Sequence, residues 1–272
     1  AVLFWVVWDA EKAALEVGYP LLIKASAGGG GRGIRLVTGP DQLEHQFNAA
    51  SGEALSAFGC GDVYMEKYLR PVKHIEVQVL CDKHGSYVAL GERDCSVQRR
   101  NQKLLEESPS PGISEALRQE LISCSVRAAK AVGYENAGTI EYLLDRDNNF
   151  YFMEMNTRLQ VEHPVTEMVT GIDLVKWQLR IAAGQPLNFT QEDVRISGCA
   201  IECRINAEDP ARGNMPCAGK VTLLHAPGGP WVRLDTALYQ DYVVPPFYDS
   251  MIAKLIVHAK TREEALRKMQ AA

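Results

Sequence analysis

The stretch GTIEYLLDRDNNFYFMEMN (residues 138–156) decides the fold. Two short runs rich in β-branched and aromatic residues flank the polar turn DRDNN, which is the pattern of an antiparallel hairpin. With the turn centred between Asp147 and Asn148, Glu141 faces Glu154 and Thr139 faces Asn156. The same register opposes Ile140 to Met155 and Tyr142 to Met153, so one face is apolar. The other carries Glu141, Glu154 and Asn156. Directly opposed carboxylates repel and weaken a sheet. A divalent cation removes the conflict, and oxygen-only ligands suit Mg²⁺. The competing reading is a solvated sheet face, and a slip of one residue exchanges the two faces.

Downstream, residues 156–164 (NTRLQVEHP) pack amides, a guanidinium, a carboxylate and an imidazole together. Pro164 argues for a loop rather than a helix interior, and loops on rigid scaffolds carry much of protein function. Arg158 suits a planar oxyanion, and Glu162 could act as a base. Upstream, residues 73–82 alternate. Ile75, Val77 and Val79 share one face, and His74, Glu76, Gln78 and Leu80 share the other. A second dense segment, ERDCSVQRRNQK (92–103), reads by itself as a solvated strand and turn. Residues 26–33 (SAGGGGRG) lie between the strands predicted for 19–25 and 34–37. Glycines let backbone N–H groups close around phosphate oxygens, although a plain flexible turn fits as well. Gly28-x-Gly30-x-x-Gly33 matches the dinucleotide fingerprint formally, but a β-prone IRLV follows where that motif needs a helix. Lys24 stands just before the loop, placed to meet phosphate as a point charge or to be a solvated strand end.

Helical spacing predicts helices over 9–17, from about 41 to 58, over 115–132, near 165–170, over 174–183 and over 262–272. Further strands are expected at 63–69 and from Tyr87, with a looser β-rich section from about Gly198. The expected class is α/β (α+β) with mixed and antiparallel sheets, not a regular βαβ alternation. The 272 residues are 46% hydrophobic and 23% charged, an ordinary globular balance. A net charge of −5 argues against general nucleic-acid or anionic-membrane binding. No apolar run approaches the roughly 20 residues of a membrane helix. The seven cysteines include no CxxC pair, so a reduced, cytoplasmic setting is expected. Cys199 and Cys203 read as strand thiols rather than a metal half-site. The start, AVLFWVVW, has no initiator Met and crowds Phe4, Trp5 and Trp8 together. With the end falling inside a predicted helix, the chain reads as part of something longer.

Taken together, the segments IKASAGGGGRGIRLV, VYMEKYL, KHIEVQVL, GERDCSVQRRNQK, MNTRLQVEHPVTE, ECRINAEDP and PPFYDSMIAKLIV are specific. The chain resembles the biotin carboxylase component of biotin-dependent carboxylases, a member of the ATP-grasp superfamily. The resemblance runs in order over nearly all residues after about Asp9. Residues 225–246 (HAPGGPWVRLDTALYQDYVVPP) look most like the bacterial acetyl-CoA carboxylase subunit, which serves fatty acid synthesis. The resemblance implies an ATP-grasp domain over 1–190, with a flap subdomain at about 9–68 and a metal and catalytic part at about 69–190. A truncated biotin carboxylase C-terminal domain would follow over 198–272.

The resemblance also implies roles. Lys24 would contact the ATP phosphates under a flap of Gly28 to Gly33 that includes Gly29, Gly30 and Gly31. Glu66, Lys67 and Leu69 would hold adenine. His74 would lie near the ribose or phosphates. Glu141, Glu154 and Asn156 would hold Mg²⁺ or Mn²⁺, in agreement with the hairpin. Arg158, Gln160 and Val161 would bind bicarbonate, and Glu162 would deprotonate it. Lys103 and Gln98 would flank phosphoryl transfer. Arg204 would stabilise the biotin enolate, and Asp249 would support its surroundings. Asn101 stands where the family often has His, so it can donate a hydrogen bond but carries no charge. An N-terminal nucleotide-fold domain and the C-terminal end are expected to be missing. Implied partners are a biotin carboxyl carrier protein, carboxyltransferase subunits and a second copy of the chain. Two other readings stay open: another ATP-grasp ligase such as a carbamoyl-phosphate synthetase half, and a non-catalytic nucleotide-binding module.

Overall fold

The computed structural model describes residues 3–4, 7–27 and 34–272. The chain divides into two units, Ala1–Pro71 and Val72–Ala272.

The first unit contains β1 (Leu3–Phe4), α1 (Val7–Val17), β2 (Leu21–Ala25), β3 (Ile34–Val37), α2 (Leu43–Phe58) and β4 (Val63–Lys67). Its four strands form an antiparallel sheet in the order β1-β4-β2-β3. In β2, Leu21, Ile23 and Ala25 are buried while Leu22 and Lys24 are partly exposed. Leu21 and Ile23 meet Ala10 and Ala14 of α1 and Leu43, Phe47 and Ala50 of α2. That is the spacing of one helical face. Lys24 therefore stands on the sheet face opposite this core.

The second unit contains β5 (Lys73–Cys81), β6 (Tyr87–Arg99), β7 (Gln102–Ser108), α3 (Glu115–Ala131), β8 (Asn136–Leu144), β9 (Phe150–Asn156), α4 (His163–Thr170), α5 (Leu174–Ala182) and β10 (Cys199–Asn206). Five further strands follow: β11 (Glu208–Asp209), β12 (Met215–Pro216), β13 (Gly219–Lys220), β14 (Val232–Thr236) and β15 (Val243–Val244). The unit ends with β16 (Met251–Ala259) and α6 (Arg262–Ala271). Eight strands form one sheet in the order β14-β16-β10-β7-β6-β5-β8-β9, and every neighbouring pair is antiparallel. The pairs β11–β12 and β13–β15 stand apart from it. No described helix is long and apolar enough to cross a membrane.

The sheet is covered on both faces. Ile75, Val77, Val79, Ile140 and Tyr142 pack against Leu117 and Leu121 of α3. On the other face Leu80, Val88 and Leu90 meet Leu174, Trp177 and Ile181 of α5, and Ala200 and Ile256 meet Val165 and Val169 of α4. Leu159, in the segment before α4, packs against the α5 cluster. The alternation in β5 does not separate a buried from a solvated face. Its polar face is not solvated, because Glu76 and Gln78 have no exposed surface. The reading of 92–103 as a solvated strand and turn is corrected at its start, where Glu92, Arg93 and Cys95 are buried.

The hairpin register departs from expectation at one point. Glu141 faces Glu154, Thr139 faces Asn156 and Ile140 faces Met155, as the sequence predicts. Tyr142 faces Phe152 rather than Met153, because the register shifts between Glu141 and Tyr142. A bulge inserts one unpaired residue, here Met153, and restores pairing one position on. It lies on the turn side of Glu154, so the carboxylate pairing survives. His163 and Pro164 also differ from expectation, since both belong to the first turn of α4. Pro is tolerated there because that N–H has no intrahelical partner.

Candidate functional site

Strand pairing sets four charged residues in one row across β6, β5, β8 and β9. Arg93 faces Glu76, Glu76 faces Glu141, and Glu141 faces Glu154. Three carboxylates in a row need cations or strong hydrogen-bond donors. Arg93 supplies the first. Its Nη2 donates to Glu76 Oε2 at 2.9 Å and to Gln160 Oε1 at 2.9 Å. Its Nη1 donates to Gln78 Oε1 at 2.8 Å and Thr166 Oγ1 at 3.0 Å. Arg93 and Glu76 are both wholly buried. Burial would raise the Glu76 carboxyl, but Arg93 and Lys103 outweigh it and hold it down at about 2.

Lys103 is the second cation. The hairpin between β6 and β7 opposes it to Gln98. Its Nζ pairs with Glu76, with Glu141 Oε1 at 2.9 Å and with Glu162 Oε1 at 2.8 Å. Burial disfavours its charge, yet Glu76 and Glu162 raise its pKa above the ordinary lysine value. Glu141 also receives Gln160 Nε2 at 2.8 Å and Asn156 Nδ2 at 3.0 Å. His74 Nε2 lies 3.0 Å from Glu141 Oε2, a close contact off good hydrogen-bond alignment. Gln98 Nε2 meets His74 Nδ1 at 3.0 Å. An amide N–H can only donate, so Nδ1 accepts and the ring proton sits on Nε2, toward Glu141. Burial would raise the Glu141 carboxyl, but His74 and Lys103 hold it down at about 2.

Arg204 is the third cation and comes from β10, two strands from β6. Its Nη2 donates to Glu162 Oε2 at 2.9 Å and its Nε to Glu106 Oε1 at 2.8 Å. Glu162 is therefore gripped at one oxygen by Lys103 and at the other by Arg204. The segment carrying it is tied down on both sides. Lys254 Nζ donates to Val161 O at 2.8 Å, and His163 Nδ1 lies 2.8 Å from Gln160 O.

The structure thus brings together Lys103, Glu141, Asn156, Gln160, Glu162 and Arg204, with His74 and Gln98 beside them. Glu154 is exposed at the edge of the row and meets Asn156 Nδ2 at 3.3 Å. Arg158 is exposed, and its Nη2 reaches Asn156 Oδ1 at 3.4 Å. Asn101 stands at the tip of the β6–β7 hairpin with φ 65, beside Arg100 with φ 52. Asp249 accepts from the Met251 N–H at 2.9 Å. In the first unit Lys24 is ion-paired with Glu66, while Lys67 is exposed and Leu69 half-buried. Gly28, Gly29, Gly30, Gly31 and Gly33 lie outside the described residues.

The donors fit a hard divalent cation. Glu141, Glu154 and Asn156 offer two carboxylates and an amide on one sheet face; the Asn156 N–H now donates to both carboxylates, and its Oδ1, which faces Arg158, is the atom a cation would take. Sequence reasoning passed over Glu76, Arg93 and Glu106 as site residues. Glu76 was visible only as one polar position in a strand, and Arg93 as one charge in a dense segment. Their burial depends on α4 and the segment before it covering that face.

Residues 6–190 match a family model described as the carbamoyl-phosphate synthase L chain, ATP binding domain. Residues 202–272 match the biotin carboxylase C-terminal domain. A biotin carboxylase of Nostoc sp. is 56% identical over 97% of this chain and 59% of its own. The 2-oxoglutarate carboxylase small subunit of Hydrogenobacter thermophilus is 53% identical over 98% of this chain and 56% of its own. A crystal structure of the biotin carboxylase domain dimer from that organism's 2-oxoglutarate carboxylase, in complex with MgADP, ADP and bicarbonate, superposes with a TM-score of 0.93. It is 53% identical over 98% of this chain and 59% of that one. The chain spans a little over half the length of these relatives. It has the ATP-grasp architecture, and it belongs to the biotin carboxylase family.

Proposed function

We propose that the protein to which this chain belongs is an ATP-dependent ligase that carboxylates biotin on a carrier protein, using bicarbonate. The observation that carries the reading is Glu162 held between Lys103 and Arg204. A carboxylate fixed between two cations is a base whose product, a neutral acid, leaves both cations free to meet an anion. Bicarbonate attacks phosphorus poorly until its proton is removed, and Glu162 accepts that proton. Lys103 then offers charge to the transferring phosphoryl group. Arg158, Gln160 and Val161 are assigned to bicarbonate. Arg204 offers a fixed cation where the ureido oxygen of biotin gains charge. Carboxyphosphate, the mixed anhydride this chemistry passes through, needs shelter from water.

Lys24, Glu66, Lys67 and Leu69 are assigned to ATP, together with the glycines at 28–33, and so are His74 and Gln98. Lys24 must exchange Glu66 for phosphate to do this. Mg²⁺ or Mn²⁺ at Glu141, Glu154 and Asn156 would neutralise phosphate charge. Asp249 is assigned to the support of Arg204. The domain limits proposed are 1–190 and 198–272, with a flap portion at 9–68. The narrower role is the first half-reaction of acetyl-CoA carboxylase in the cytoplasm, with carboxyltransferase subunits and a second copy as partners. Its support is the 225–246 segment. A relative acting in 2-oxoglutarate carboxylation keeps other acceptors in view.

The test is phosphate release from Mg·ATP, with and without bicarbonate, then with free biotin. Release that needs bicarbonate and rises with biotin supports the reading. Release indifferent to bicarbonate, but stimulated by another carboxylate or amine, moves it to a different ATP-grasp ligase. No release from the chain, with release from the full-length protein, makes the chain a non-catalytic module.

A further inference from the structure

Behind Arg204 stands a carboxyl group that the proposed reaction does not use. Glu202 lies two residues before Arg204 on β10, hence on the same face, and directly opposite Glu106 on β7. Both glutamates have no exposed surface. Among the described residues, both oxygens of Glu202 and Oε2 of Glu106 have no hydrogen-bond partner. Opposed side chains on paired strands start about 5 Å apart at Cβ. Two anions at that separation, away from water, cannot both persist.

The surrounding charges do not relieve the pair. From β10, Arg204 is already committed to Glu106 and Glu162. From β16, Lys254 gives a hydrogen bond to Val161 O and lies 3.6 Å from Asp235. Glu162 comes from the segment before α4 and Glu76 from β5, and both are acidic. The α4 helix adds His163 and Glu167, which lie beside each other and Arg233. One proton resolves the conflict. A proton on Glu202 removes the repulsion and leaves Glu106 anionic toward Arg204. The electrostatics agree. Burial and the neighbouring Glu106 push Glu202 up to about 9. Burial pushes Glu106 up to about 7, although Arg204 opposes it.

We propose that Glu106 and Glu202 share a single proton and form a positioning pair for Arg204. While the proton is held, one negative charge anchors the guanidinium at Nε. When it is lost, a second charge draws the guanidinium toward the pair and away from its work. The functional part rests on the biotin carboxylase reading, whereas the shared proton does not.

The test has two arms, both on the full-length enzyme. Infrared difference spectroscopy, without substrates, should find a buried protonated carboxyl band at pH 8, above the Glu106 value and below that of Glu202, that titrates on the alkaline side. The band should vanish in Glu202→Gln. In Glu106→Gln it should persist at a changed frequency, which keeps the test open if Glu202→Gln fails to fold. In turnover, the alkaline limb of kcat should move up by about one pH unit or more in Glu202→Gln, whose amide is neutral at every pH. Glu106→Gln should lower kcat by about tenfold with the KM for ATP unchanged, since it loosens Arg204 and not the nucleotide. Absence of the protonated carboxyl in the unsubstituted enzyme overturns the proposal. So does a band that survives Glu202→Gln, or an alkaline limb that does not move. If the band behaves as stated while biotin-dependent turnover is absent, the shared proton stands and the biotin carboxylase reading falls.

Discussion

Glu76 and Arg93 face each other across β5 and β6 with no solvent exposure, and Arg93 Nη2 meets Glu76 Oε2 at 2.9 Å. Glu76 also pairs with Lys103, so the pair belongs to the same buried charge cluster. Removing one partner leaves a buried charge without compensation. Arg93→Met should therefore cost about 3–5 kcal/mol of stability. Glu76→Gln together with Arg93→Met should cost less than the sum of the single changes. Denaturant unfolding of the four proteins in the cycle measures both. Simple additivity would mean that the two side chains act independently.

Stability should respond to pH in two opposite ways. Glu76 and Glu141 are held at about 2, below the ordinary 4.5. Their contribution is present above 4.5 and disappears as pH falls toward 2. Glu202 and Glu106 are pushed up to about 9 and about 7 from the same 4.5. Their contribution is complete below 4.5 and is lost as pH rises through 7 to 9. Unfolding free energy measured from pH 3 to 9.5 should fall at both ends. Glu202→Gln should flatten the alkaline side alone.

These features mark how far the sequence could be read. Opposition of Glu141 and Glu154 was legible because turn chemistry and alternation fix a hairpin locally. The bulge at Met153 was not, since nothing in FYFMEMN marks which residue leaves the ladder. Likewise, alternation in 73–82 assigns His74, Glu76 and Gln78 to one face without saying what covers it. The cover comes from α4, α5 and the segment before them, about a hundred residues on. Arg204 and Glu106 meet because β10 pairs with β7, a long-range pairing that no local pattern announces.

Glu162→Gln keeps the shape between Lys103 and Arg204 but cannot take a proton. If Glu162 is the base, bicarbonate-dependent phosphate release should fall by about 10²–10⁴-fold. ATP affinity should hold, because Glu162 is not assigned to the nucleotide. Initial rates over a bicarbonate series, with nucleotide binding measured separately, distinguish this from a general loss of the site. Release within twofold of the unsubstituted protein would remove Glu162 from that role.

The metal assignment can be tested through a residue one step removed. Gln160 Nε2 donates to Glu141 Oε1 at 2.8 Å, and its own oxygen is fixed by Arg93 Nη2. Gln160 thereby aims the carboxylate without being placed as a ligand. Partners of this kind are worth roughly 10–100-fold in metal affinity. Gln160→Ala should weaken Mn²⁺ binding by that factor, read by electron paramagnetic resonance of free Mn²⁺. Glu141→Ala should abolish saturable binding. Arg93→Lys should act like Gln160→Ala, since one ammonium cannot hold both Glu76 and Gln160 with a fork. If Gln160→Ala and Arg93→Lys leave the Mn²⁺ titration unchanged, the cation is held elsewhere and the Glu141–Glu154 row serves another purpose.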